Sequence, residues 1–404
     1  MSRVGVGPIS KAENEGAKAI HSDRRLPALT GLRIFAAVAV YFSHIGPPVG
    51  SPSWLETFFH SGYCGVTIFF VLSGFVLSYN YFDELRRPGA GTIWEYLVAR
   101  FARVYPLYIA ILFLLVMELH ASGDSIAGWW RHALAIQAWD PSAEVAFGFN
   151  QVAWSLSVEF FLYTCLPFLI PLAALLRKPR AMLLAGAVVV LVLGGLAAWF
   201  VATGKGSLPY TDPNSAHRWL YRTPLTRLGD FALGIIAARL FVTVGHLPDI
   251  RRLGRYLTPA AAVLIVALMC WPKLFYSAWS WDFAYAPPAA VLMFGLAVAP
   301  RTWLARLCSL SGVILLGEAS YAFYLIHAEA IGWLGAGQWS TASSPSRVIV
   351  EALLLGLILC LAVGLHVAFE MPARKLLRGL LSLRPDSPLS RLRGRLTKPG
   401  ASAA

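Results

Sequence analysis

Arg33 and His44 stand out because both polar side chains fall within an apolar run, 28–47. They are 11 residues apart, close to three helical turns, so a helix places both on one face about 16 Å apart along its axis. Histidine exchanges protons near neutral pH, which makes His44 a candidate general base. The alternative is structural: an arginine that extends to the helix end and a histidine that caps a neighbouring helix.

A second group lies in the run WSLSVEFFLY, which contains Trp154, Ser157 and Glu159. A carboxylate in an apolar span must pair with a cation, stay neutral or line a wet cavity. Arg227, at the start of another apolar run, is a possible partner for Glu159. Trp154, Ser157 and Arg227 are therefore candidate cavity residues, and Glu159 is a candidate catalytic residue.

Arg100 and Arg103 lie one helical turn apart in RFARVYP, at the start of a further apolar span. Planar guanidinium groups suit phosphate, so this pair is a candidate phosphate-binding site. Arginines at helix ends also serve as simple interfacial anchors.

Ser320, Tyr324 and His327 follow at i, i+4 and i+7, which places a polar stripe on one helix face. The stripe fits a substrate cavity, although a structural hydrogen-bond ladder would explain it nearly as well.

The elements that must position these residues are membrane helices. Of the 404 residues, 57% are hydrophobic and 14% charged, far below the ~25% charged residues of a soluble domain. Runs approaching the ~20 apolar residues that span a bilayer recur ten times. We therefore predict an all-α, polytopic membrane protein with ten spans: 28–47, 63–82, 103–120, 152–175, 181–202, 225–244, 258–272, 284–299, 311–334 and 348–369.

The distribution of positive charge predicts the orientation. With ten spans, 25 of the 34 Lys and Arg residues fall on the side of the termini and six on the other, so both termini are predicted to be cytoplasmic. Residues 1–25 are expected to be a disordered tail, 26–375 the ten-helix domain, and 376–404 a basic, disordered tail. The spread of charge over many loops argues against nucleic acid as a partner.

The five cysteines are scattered singly, without the spacing of a zinc site or a disulfide framework. We expect no metal and no permanently bound cofactor.

Seven motifs occur in a shared order: the Arg33–His44 spacing, GVTIFFVLSGF, RFARVYP, WSLSVEFFLY, RLGDFALG, SYAFYLIH and EMPAR. In this order they resemble the membrane-bound acyltransferase 3 family over residues 26–375. The resemblance implies an enzyme of the bacterial cytoplasmic (inner) membrane that transfers an acyl group, usually acetyl, from cytoplasmic acyl-CoA to a sugar hydroxyl. The acceptors include lipopolysaccharide O-antigen and exopolysaccharide.

The resemblance also assigns roles. It makes Arg33 and His44 essential, and Arg100 and Arg103 required, here as acyl-CoA ligands. His44 would act as a base or as a transient acyl carrier. The family often has an acidic residue where this chain has Thr67, and many members carry a fused SGNH-type esterase domain that is expected to be absent here. The chain would then complete transfer alone or pass the group to a separate periplasmic protein.

The alternative from another functional class is a multi-pass transporter of a small polar or acylated substrate, because Arg, His and Glu within spans also mark proton-coupled pathways. Inverted repeats and paired broken helices, which would favour it, are not visible in the sequence.

Overall fold

The structure is a computed structural model that describes residues 26–48, 50–333 and 344–382. These residues form helices and loops without strands, which confirms the all-α prediction. A helix lies in each of the ten predicted segments: α1 (Pro27–Ile45), α2 (Cys64–Leu85), α3 (Ala90–Ala121), α4 (Trp154–Leu175), α5 (Pro179–Ala202), α6 (Leu228–Val244), α7 (Pro248–Met269), α8 (Ala286–Val298), α9 (Ser311–Trp333) and α10 (Ser344–Leu365).

Among the described residues, seven helical segments are both long and apolar enough to cross a membrane. The helices α6, α8 and α9 do not meet that standard; α8, with 13 residues, extends only about 20 Å at 1.5 Å per residue. The chain is a multi-pass membrane protein. The count of ten crossings and the cytoplasmic placement of the termini stay predictions.

Two helices are longer than their apolar runs. The helix α3 begins at Ala90, 13 residues before the predicted start of the span at 103, and α7 begins at Pro248, ten residues before 258. Arg100 and Arg103 therefore lie within α3 and not at its start. The difference arises because hydropathy measures the lipid-buried part of a helix, whereas polar residues outside the bilayer continue the same helix.

The proline of the EMPAR segment, Pro372, predicts that the last helix ends there, because proline breaks helices. The structure shows that this prediction is wrong. A wide π-type turn over His366–Glu370 joins α10 to a further helix, α11 (Met371–Leu381). Pro372 lies in the first turn of α11, where a missing N–H removes no helical hydrogen bond. Residues 376–381 are thus helical, whereas 383–404 and the predicted tail 1–25 lie outside the described residues.

The helices α1, α2, α6 and α9 form the centre of the bundle and α5, α7 and α10 its periphery. Glycines allow the central helices to touch. A Cβ on Gly74 of α2 would lie 2.1 Å from the Phe231 carbonyl oxygen, and one on Gly234 of α6 would lie 2.0 Å from that of Val71. This agrees with a packing role for the small residues of GVTIFFVLSGF. The peripheral helices expose leucines that suit a lipid environment, such as Leu191 and Leu353.

Candidate active site

A narrow pocket, the arginine pocket, lies between α1, α2, α3, α4 and α9, and its volume is about 70 Å³. It brings together six residues singled out from the sequence: Arg33, Arg100, Arg103, Glu159, Ser320 and Tyr324. The rest of its lining is largely apolar, including Phe69 and Leu72. Residues up to 291 positions apart in the chain thus share one site.

Two of the arginines are held by hydroxyl groups. Arg33 donates from Nε to Ser320 Oγ at 3.2 Å, and Ser320 donates in turn to the Gly317 carbonyl at 2.8 Å. Arg100 donates from Nη2 to Tyr81 Oη at 2.9 Å, and its Nε is buried without a partner among the described residues. Neither arginine forms a salt bridge with a carboxylate of the described residues, so both keep donors for an anion.

Glu159 is the acidic residue among the pocket-lining side chains, and it accepts a hydrogen bond from Tyr163 Oη. Three arginines against one glutamate leave the pocket positively charged. In a low-dielectric interior such an excess favours an anionic ligand.

His44 lies at the last turn of α1, at the end of the helix away from Arg33. Its Nδ1 is 2.9 Å from the Val40 carbonyl oxygen, which can only accept, so Nδ1 carries the proton. In the neutral ring Nε2 then has a free lone pair. The side chain is exposed to a cavity, so His44 has the form that a base or nucleophile requires.

His327 of α9 lies behind His44. The two ring centroids are 5.1 Å apart and the rings meet edge to face. His327 is fully buried, its Nδ1 is 2.7 Å from the Tyr324 carbonyl oxygen, and its Nε2 has no hydrogen-bond partner among the described residues. His327 therefore packs against the candidate catalytic ring and does not line either pocket described here.

His44 opens into a second space, the histidine cavity, with a volume of about 630 Å³. This is within the range of small-molecule sites. Aromatic and polar side chains line it: Ser43, His60, Tyr63, Glu144, Phe147, Gln151, Trp154, Tyr210, Thr211, His217, Tyr221, Tyr276 and Trp281. Of these, only Trp154 was a candidate from the sequence, because most of the others lie in loops whose spacing carries no periodic signal.

Loops 122–153, 203–227 and 270–285 build the histidine cavity. Arg222 fixes two of them together, because its fully buried guanidinium donates to the carbonyl oxygens of Asp140, Pro141 and Ser142 at 2.7–3.1 Å.

His217, at the cavity wall, contacts Trp281 edge to face with centroids 4.7 Å apart. Burial, and then the charges of Arg222 and Arg227, lower the pKa of His217 to about 3.

The arginine pocket and the histidine cavity share two lining residues, Val66 of α2 and Tyr324 of α9. Tyr324 Oη donates to the Val152 carbonyl oxygen at 3.2 Å and lies 2.9 Å from Ser155 Oγ. These bonds hold the ring between the two spaces. The site thus has two compartments with a thin common wall.

Arg227 does not pair with Glu159, which corrects the expected pairing. It is fully buried and donates to Asp230 Oδ2 at 2.8 Å, with Asp282 Oδ1 at 3.7 Å. It also donates to Thr67 Oγ1 at 3.1 Å. A buried arginine beside two carboxylates stabilises the junction of α2, α6 and the loop before α8. The guanidinium of Arg227 donates to these partners, and the residue lines neither compartment.

Ser157 likewise lines neither compartment. It is buried on α4, and its Oγ accepts a hydrogen bond from the Ala138 N–H at 3.3 Å. The side chain therefore fixes the loop 122–153 to α4.

All five cysteines are unpaired, and the described residues hold no cluster of three or more His, Cys, Asp or Glu side chains arranged to bind a metal ion.

The amino-acid sequence is similar to those of known proteins. Residues 26–369 match a family described as "Acyltransferase domain". Acyltransferase MdmB of Streptomyces mycarofaciens is 31% identical over 391 residues, which cover 90% of this chain and 95% of that protein. O-acetyltransferase OatA of Staphylococcus aureus is 26% identical over 380 residues, 88% of this chain; the chain spans 58% of that relative's length. No solved structure matches the chain.

Proposed function

Because the chain belongs to the acyltransferase 3 family of membrane acyltransferases, we propose that it moves an acetyl group from cytoplasmic acetyl-CoA to a hydroxyl of a cell-surface or exported glycan. The observation that carries this proposal is the pair of compartments separated by Val66 and Tyr324. A group-transfer enzyme needs a donor site and an acceptor site that meet at the reacting group.

The arginine pocket is the donor site in this proposal. Arg33, Arg100 and Arg103 bind the phosphates of acyl-CoA, since guanidinium groups match phosphate in charge and geometry. A volume of about 70 Å³ accommodates a thioester and a short acyl group but not a whole nucleotide, so the nucleotide lies at the mouth. The small volume supports acetyl over a long chain, as does the name O-acetyltransferase of one relative.

The histidine cavity is the acceptor site. Sugars have apolar ring faces and hydroxyl edges, and the cavity offers aromatic rings such as Tyr63, Tyr276 and Trp281 beside polar groups such as Glu144 and Gln151. Tyr276 has a left-handed backbone, φ 53°, an uncommon conformation that the surrounding loop maintains. The aromatic wall supports a saccharide acceptor and does not distinguish O-antigen from exopolysaccharide.

In the direct route, His44 Nε2 accepts the proton of the acceptor hydroxyl as its oxygen attacks the thioester carbonyl. The new C–O bond forms, the C–S bond breaks, and the CoA thiolate takes the proton from the imidazolium. Tyr163 and Glu159 shape the donor side. In the carrier route, Nε2 itself attacks the thioester carbonyl, the C–S bond breaks, and CoA leaves as a thiolate. The acceptor hydroxyl then attacks the acyl-imidazolium, the C–N bond breaks, the hydroxyl proton passes to the thiolate, and His44 returns to the neutral imidazole.

The location proposed is the bacterial cytoplasmic (inner) membrane, with Arg33 on the cytoplasmic side. Transfer either finishes in this chain or continues through a separate periplasmic acyl-handling protein. A transporter function receives no support from the relatives, which are named acyltransferases.

The test uses purified protein in lipid nanodiscs with radiolabelled acetyl-CoA. We expect Arg100→Gln with Arg103→Gln to weaken acetyl-CoA binding at least tenfold, and Arg180→Gln, an exposed arginine on the same side of the bundle, to leave it unchanged. Equal binding by all three proteins would exclude the arginine pocket as the donor site.

A second experiment separates the two routes. Rapid-quench mass spectrometry without acceptor will show an acetyl group on His44 if the carrier route operates, and none if transfer is direct.

A further inference from the structure

A second basic region lies at the C-terminal end of α2, apart from the arginine pocket. It consists of two adjoining cavities of about 410 and 800 Å³ that share Phe241, Gly245 and Arg251, and we call it the basic cleft. It lies between the C-terminal ends of α2, α6 and α8 and the N-terminal end of α7. It has no lining residue in common with the arginine pocket or the histidine cavity.

Its charge is strongly positive. Arg239 and Arg251 line the smaller cavity beside Asp83, and Arg251 continues into the larger one. The larger cavity is lined by arginines without an acidic residue: Arg251, Arg255, Arg301 and Arg306. The last three form no salt bridge with any described residue, so their charges are not neutralised within that part of the chain.

Apolar side chains also line the larger cavity, and we call them the apolar rim: Trp303, which is 66% exposed, Pro259, Val298 and Leu304. Tyr256, which follows Arg255 in α7, is 70% exposed. Trp and Tyr are typical of the boundary between headgroups and acyl chains in a bilayer. An arginine cluster at the boundary between headgroups and acyl chains would contact the phosphate groups of phospholipids.

We propose that the basic cleft binds an anionic phospholipid, with its phosphate between Arg255, Arg301 and Arg306 and its acyl chains against the apolar rim. Basic pockets between membrane helices suit such headgroups because arginine forms bidentate hydrogen bonds with phosphate. The two adjoining cavities give room for a headgroup larger than one phosphate. This site is independent of the proposed acetyl transfer.

The experiment is native mass spectrometry of the full-length protein titrated with phosphatidylglycerol or phosphatidylcholine. We expect wild type to prefer phosphatidylglycerol at least fivefold. The triple variant Arg255→Gln, Arg301→Gln, Arg306→Gln should lose this preference. A control with the same net charge, Arg86→Gln, Arg87→Gln, Arg252→Gln, changes arginines on the same side that line no described cavity and should keep it.

Equal loss in both triple variants would show unspecific charge attraction and overturn the proposal, as would a wild type without preference. Inorganic phosphate is the second probe: if it displaces phosphatidylglycerol completely at millimolar concentration, the cleft is a site for soluble phosphate and not for lipid. The single variant Arg301→Gln, expected to lose part of the preference, keeps the test valid if the triple variant does not fold.

Discussion

Val66 and Tyr324 form the common wall of the two compartments, so the size of these side chains should set the size of the acyl group that passes. We predict that Val66→Ala raises the ratio of butyryl to acetyl kcat/KM by about tenfold, because each methylene in a tight apolar site is worth about 1–3 kcal/mol. Rates with radiolabelled acetyl-CoA and butyryl-CoA measure this ratio. Val188→Ala, on the half-exposed outer face of α5, is the control. An unchanged ratio would show that the wall does not contact the acyl group.

His217 gives the protein a sensitivity to acid. Its pKa is lowered to about 3 in the folded state by burial and by Arg222 and Arg227, against about 6.5 when unfolded. Between these values the unfolded chain binds a proton that the folded chain does not, so the free energy of unfolding decreases as the pH falls, by up to about 1.4 kcal/mol per pH unit. Above pH 6.5 the residue has no such effect.

We therefore predict that His217→Gln flattens the loss of apparent Tm between pH 6.5 and 4 in detergent, whereas His120→Gln, at the exposed end of α3, does not. A parallel decline in wild type and His217→Gln would assign the acid sensitivity to other groups, such as His132, whose pKa burial lowers to about 4.

The sequence indicated candidate site residues where polar groups fall within apolar runs. Arg33 and His44 were found by their spacing, and the structure places them on one helix in adjoining compartments. The expected pairing of Arg227 with Glu159 was wrong, because the nearest carboxylate is Asp230, three positions further along the same motif, with Asp282 of a distant loop as the second. The aromatic wall of the histidine cavity was also missed, since loop residues such as Tyr276 have no periodicity.

At the scale of elements, the crossing of α2 and α6 depends on two glycines. A methyl group at Gly74 would overlap the Phe231 carbonyl oxygen at 2.1 Å, so the helices would have to separate. We predict that Gly74→Val costs about 1–3 kcal/mol or more of stability, as overpacking does in other cores. The control is Gly356→Val on α10, where a Cβ meets nothing within 4 Å. The fraction of monodisperse protein after heating measures the effect, and equal losses would show that the crossing tolerates expansion.

Helix positions were predictable from hydropathy, and helix ends were not. An apolar run locates the part of a helix that lies in lipid, but α3 and α7 continue through polar residues beyond it. The turn at His366–Glu370 was hidden for a different reason: a proline in a sequence looks like a stop, whereas Pro372 occupies a first turn that tolerates it.

At the scale of the whole molecule, the two compartments lie toward opposite ends of α1, with arginines near one end and His44 near the other. Composition was sufficient to predict a polytopic helical membrane protein, because 14% charged residues cannot cover a soluble surface of this size. The cavities could not be predicted from the sequence, since they arise from contacts between five helices and three loops.

In the proposed reaction, His44 is the group that acts on the acceptor hydroxyl. The most direct test is NMR measurement of O-acetyl groups on surface glycans in cells lacking the gene and complemented with wild type, His44→Ala, Arg33→Ala or His120→Ala at equal membrane expression. His120, at the exposed end of α3, lines neither compartment and is the control. We predict loss of O-acetyl signal on deletion, restoration by wild type and His120→Ala, and no restoration by His44→Ala or Arg33→Ala. Full restoration by His44→Ala would contradict the account.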